Sequence, residues 1–202
     1  MRDLDRALAE IGEIRSQMAR GTQFRGYGPA TFAVTGLMAV LAAAGQARWL
    51  PAPTADPAAY LWLWCGVATL SVAVIGFEMV ARSRRIHTGL ADEMIRSAVE
   101  QFLPAGVAGA LLTAVLMRFA PQSLWMLPGL WQIVFGLGVF SSCRFLPRAM
   151  LSVGVWYLAS GLFCLAFVSG GQALAPWAMG APFGVGQLLV AGVLLIDGGG
   201  RE

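Results

Sequence analysis

The sequence has no lysine. All fourteen of its basic residues are arginine, and only 12% of its 202 residues are charged. A soluble domain usually carries about 25%, so this chain lacks the polar surface that keeps a soluble fold in water. It has one histidine, His87, which excludes haem ligation by two histidines of one chain and a histidine-rich metal site. The three cysteines, Cys65, Cys143 and Cys164, lie far apart in apolar runs without CxxC spacing. They read as small buried hydrophobes. No P-loop, GxGxxG, HExxH, GxSxG or EF-hand pattern occurs, and the terminal "DGGGRE" lacks the Lys or Ser/Thr of a phosphate loop. The expectation is therefore no cofactor, no metal and no catalytic set. The first apolar run begins only near Ala30, behind Asp3, Asp5, Glu10 and Glu13, so the start does not read as a cleavable signal peptide.

What the chain has in abundance is apolar surface. Hydrophobic residues make up 57% and the mean hydropathy is +0.68. A soluble core in so short a chain cannot absorb that much, so a bilayer is the natural solvent. Spanning it takes roughly 20 apolar residues per helix. The apolar runs are continuous rather than alternating, which selects helices over a barrel. Six runs are counted, at about 29–49, 58–81, 101–120, 124–143, 149–169 and 178–197. Pro29 falls in the first turn of the first run, where its missing N–H costs nothing. Proline-bearing stretches such as "RWLPAPTADPAAY", "RFAPQS" and "RFLPR" separate runs. The predicted fold is all-α: six transmembrane helices at 29–197, arranged as three helical hairpins. A cytoplasmic amphipathic segment at 1–28 precedes them and a cytoplasmic tail at 198–202 follows.

Arginine placement predicts the orientation. With the N-terminus in the cytoplasm, Arg2, Arg6, Arg15, Arg20, Arg25, Arg82, Arg84, Arg85, Arg96, Arg144, Arg148 and Arg201 share the inner side, against Arg48 and Arg118 outside. That bias puts both termini inside. Trp49, Trp62, Trp64, Trp125 and Trp177 then fall at the outer interface, where an amphipathic ring sits well, with Trp131 deeper and Trp156 in the inner half. Because the basic residues track a membrane face, nucleic acid is not an expected partner. Loops are too short to fold as domains.

Within residues 2–20, Leu4, Leu8, Ile11, Ile14 and Met18 recur at helical spacing and form one stripe, stopped by Gly21. This helix either lies on the membrane or the protein's own loops, or docks a partner protein through a short coiled coil.

Few polar residues enter the runs. Sixteen residues, about 24 Å of helix, separate Trp62 from Glu78, which places Glu78 near the inner boundary of a core about 30 Å thick. Arg82 follows it at i+4 in the favourable order, giving an interfacial ion pair. Asp92 can pair with Arg96, which leaves Glu100 without a helical partner. If Glu78 and Glu100 meet, one of them is a candidate proton carrier. Thr69, Thr113, Gln132, Ser160 and Gln187 lie near mid-membrane at similar depth. An amide in lipid needs a partner, so Gln132 and Gln187 should face the bundle interior. They serve either interhelical hydrogen bonds or a polar path between the second and third hairpins. Ala39 and Ala43, Ala105 and Gly109, and Gly106 and Ala110 have the small-xxx-small spacing that admits close helix approach.

The segments "LWMLPGLWQIVFGLGV" and "PWAMGAPFGVGQLLVAGV" share Trp, Met, Pro, Gly, Gln and a glycine-bearing run. In this pattern of outer loop, Trp, Pro and inward helix, residues 29–197 resemble small six-helix bacterial inner-membrane proteins and, faintly, the hairpin-repeat acid-resistance membrane proteins. The resemblance implies a multi-pass inner-membrane protein and assigns no functional residue. Together these readings point to a non-enzymatic accessory, scaffold or stress-related subunit. The alternative is a small transporter or channel using Gln132 and Gln187 with an inner gate at Glu78 and Glu100. An enzyme acting on lipid ranks below both, because it would need His, Asp or a metal set.

Overall fold

The computed structural model describes residues 28–86, 91–143 and 146–199. The stripe of Leu4, Leu8, Ile11, Ile14 and Met18 lies outside the described residues. Regular structure among them is helical throughout: α1 Pro29–Trp49, α2 Pro57–Ile86, α3 Ala91–Phe119, α4 Leu127–Ser142, α5 Met150–Phe167 and α6 Trp177–Gly199. Short 3-10 turns at Pro121–Met126 and Gly170–Gln172 lead into α4 and towards α6. All six helices are long and apolar enough to cross a membrane, so the chain is a multi-pass membrane protein.

Local chemistry sets the helix ends. Pro29 opens α1, where a missing N–H is free. Asp56 accepts the Ala59 N–H at 3.0 Å and caps the start of α2. Two helices run further than the apolar pattern predicts. α2 continues to Ile86, and α3 starts at Ala91 and passes through Pro104. Hydropathy marks where lipid begins, not where a helix begins. The polar stretch ahead of Val99 can stay helical outside the span Val99–Phe119. Pro104 frees the Glu100 carbonyl only at the N-terminal edge of that span, where Glu100 is exposed and water can satisfy it.

Each helix packs against the next in sequence, α6 returns to α1, and α4 also reaches α6. The closest pairs are α4 with α5 and α1 with α6, and glycine makes both. A Cβ on Gly129 would stand 2.7 Å from the Gly161 carbonyl oxygen, and one on Gly161 would stand 2.7 Å from that of Gly129. Seven residues on, Gly136 faces the Gly154 carbonyl at 3.1 Å in the same sense. The two backbones therefore touch in antiparallel register without side chains between them. On the other side, Gly180 abuts Ala43 and Gly184 abuts Val40, while Gly36 faces the Gly184 carbonyl. The Ala39 and Ala43 pair is thus used in packing. So is Ala105, whose methyl meets Gly138, whereas Gly106 faces open space.

Two apolar clusters fill the bundle. Phe135, Tyr157 and Phe183 stack with ring centroids 4.6 to 5.5 Å apart, and Phe102 joins Phe135. Tyr60, Trp64, Leu127, Leu174 and Met179 belong to another cluster, near the start of α2, of α4 and of α6. Trp64 is therefore inside the bundle, at 3% exposure, while Trp62 two residues earlier is 81% exposed. No part of the α3 span is buried, against 44% for α6. α2 and α3 are the least buried of the six helices.

Candidate functional site

Glu78 is the acid nearest the membrane interior in α2, and it is spent on α1. The N-cap of α1 is Gly28, which offers no side-chain oxygen to the first-turn N–H groups, and that turn has no acid of its own. Glu78 reaches across from α2 to this turn. Thr31 in the first turn donates its hydroxyl to the carboxylate, and a Cβ at Gly28 would overlap it. A carboxylate here is favoured by the positive end of the helix dipole. Arg82 stands 3.8 Å from the other carboxylate oxygen, the predicted i,i+4 pair.

Glu100 does have a helical partner. Arg96 donates Nε to Glu100 Oε1 at 2.6 Å, which corrects the expectation that Glu100 lacks a helical partner. The spacing from 96 to 100 is itself i,i+4, and both side chains are exposed in the N-terminal part of α3. Such a pair contributes at most about 1 kcal/mol. The two carboxylates are thus each held by an arginine of their own helix.

Gln132 is fully buried, and its role follows from a proline on another helix. Pro182 lies inside α6 and has no N–H to give to the carbonyl four residues back, that of Ala178. Gln132 Nε2 supplies the missing donor at 2.8 Å and also bonds the Pro128 carbonyl of its own helix at 2.9 Å. An unpaired carbonyl in lipid would cost about 1–3 kcal/mol. The two halves of the sequence repeat therefore differ: Pro128 sits harmlessly at the start of α4, and Pro182 breaks a bond inside α6.

Gln187 is also buried but is held by different neighbours. Its Cβ packs by Gly36 of α1, and the Tyr157 hydroxyl of α5 lies beside Gly186. Gln187 Oε1 and the Tyr157 hydroxyl have no hydrogen-bond partner. The two glutamine amides do not bond each other. Thr69, Thr113 and Ser160 each return a hydroxyl bond to their own helix, and Thr113 also accepts Trp131 Nε1 at 2.9 Å.

A third amide, absent from the sequence-based candidates, is the best satisfied. Gln46 Oε1 accepts Trp64 Nε1 and Gln46 Nε2 donates to the Leu174 carbonyl, both at 2.7 Å. One side chain thus ties α1 to α2 and to the loop before α6. Leu174 sits there at φ 59, a left-handed conformation that a leucine adopts only under constraint. The signal was available, because Gln46 lies within the first apolar run by the same argument that singles out Gln132.

No group of three or more His, Cys, Asp or Glu side chains is placed to hold a metal ion among the described residues. No known protein family, curated protein or solved structure matches the chain.

Proposed function

We propose that this chain is a non-enzymatic integral membrane protein of a bacterial inner membrane, serving as an accessory, scaffold or stress-related subunit of a membrane complex. The observation that carries the reading is where the buried amides go. Gln46 and Gln132 spend their hydrogen bonds on carbonyls and a tryptophan of the bundle itself. Polar groups used in this way hold helices together. Recognition then falls to the surface, and the stripe Leu4, Leu8, Ile11, Ile14 and Met18 is the docking element. The arginine bias puts that stripe and the C-terminus in the cytoplasm. A reporter fused after Glu202 reads cytoplasmic on this account, and a periplasmic reading overturns the topology. Deleting residues 1–20 removes the partner and leaves the six-helix bundle folded. Association retained after the deletion removes the docking role.

A second reading rests on Tyr157 and Gln187, whose unpartnered oxygens lie between α5 and α6. A transporter or channel would route a polar solute past them, with Glu78 and Glu100 at the inner mouth. Gln187→Leu then abolishes a flux across lipid vesicles without unfolding the protein. A folded variant with unchanged flux eliminates this path.

A further inference from the structure

Among the described residues, Leu174 is the one non-glycine with a positive φ. A Cβ makes that left-handed conformation costly, so a leucine keeps it only where surrounding contacts impose it. Two features impose it here. The Leu174 side chain is 2% exposed, in a cluster with Ala39 of α1, Tyr60, Leu61 and Trp64 of α2, and Leu127 of α4. The Leu174 carbonyl accepts Gln46 Nε2 from α1 at 2.7 Å. The rest of the α5–α6 loop bonds to itself. The Gln172, Ala173 and Ala175 N–H groups donate to the Ser169, Gly170 and Gln172 carbonyls, and Trp177 Nε1 donates to Gln172 Oε1. Among the described residues, the Gln46 bond is thus the one hydrogen bond that ties this loop to another part of the bundle. Ser169, Gly170 and Gln172 are exposed, while Ala173, Leu174 and Ala175 are buried. Gly170 is also left-handed, which costs a glycine nothing, and a Cβ there would meet nothing within 4 Å.

We propose that the α5–α6 loop is a lid on this end of the bundle, with Leu174 as its plug and Gln46 as its catch. The lid lifts about Gly170 while α5 and α6 stay helical. Lifting breaks one hydrogen bond and exposes one large apolar side chain, and it relaxes the strained Leu174 backbone. That relief brings the open form closer in free energy to the closed one than a plug on a relaxed backbone would allow. Opening uncovers Tyr60, Trp64 and Leu127 and frees Gln46 Nε2 to donate elsewhere.

The test is backbone hydrogen exchange on the full chain in lipid particles. In the unsubstituted protein, the Ala173 and Ala175 amides should be protected, yet exchange through an opening that α5 and α6 do not share. Loop amides without protection, or amides that exchange only together with both helices, overturn the lid. Gln46→Leu should speed loop exchange by roughly tenfold, the effect of stranding the Leu174 carbonyl, and leave α5 and α6 unchanged. Unchanged loop exchange shows that Gln46 is not the catch and overturns the proposal. Leu174→Gly suits the left-handed backbone better than leucine but removes the plug. Faster loop exchange in that variant is expected, and slower or equal exchange overturns the plug. If Gln46→Leu does not fold, the unsubstituted chain and Leu174→Gly still decide the question.

Discussion

At the scale of single residues, the protein's polar side chains answer defects in its own backbone. Pro182 creates one such defect and Gln132 repairs it from a different helix. Gln132→Leu should therefore lower stability in mild detergent by about 1–3 kcal/mol, because the Ala178 carbonyl keeps only the weak Cys164 thiol donor at 3.7 Å. Pro182→Ala returns an N–H to α6 at the position that faces this carbonyl. In the Pro182→Ala background, Gln132→Leu should cost measurably less. A double-mutant cycle on the denaturation midpoint reads the difference. Equal losses in both backgrounds would show that Gln132 does not serve the proline defect. Glu78 likewise acts across helices, accepting the Thr31 hydroxyl in the first turn of α1.

At the scale of helices, stability rests on backbone contact at a few glycines, and the many other small residues contribute little. Gly161→Val should unfold or grossly destabilise the bundle, because its side chain would be driven into the Gly129 carbonyl of α4. Gly106→Val, on a face with nothing within 4 Å, should leave the thermal midpoint nearly unchanged. Circular dichroism melts of the two variants compare them directly, and equal behaviour would contradict the assigned interface. The helices themselves were legible in the sequence, because a continuous apolar run bounded by prolines has one stable form in lipid. Their polar extensions were not, since residues 91–98 lie outside the apolar span. That Gln132 needs a partner was legible from its apolar surroundings. Which partner it takes depends on how α4 faces α6, and periodicity does not carry that. The Arg96–Glu100 pair and the Gln46 clamp were within reach of the same spacing and burial arguments. Which glycines make contact and which face lipid was beyond the spacing, because Ala105 and Gly106 carry the same small-xxx-small motif and only Ala105 meets α4.

At the scale of the whole molecule, the six spans divide into two unequal parts. α1, α4, α5 and α6 enclose most of the buried residues, and α2 and α3 are the least buried. The buried amides bind this assembly together, and the account places recognition of other proteins outside the membrane, on the stripe within residues 2–20. A subunit built this way should travel with a partner. The most direct measurement is the mass of the intact assembly, extracted in native lipid particles and kept non-covalently whole. The account predicts a second protein at fixed stoichiometry. A lone chain or a homo-oligomer would contradict it.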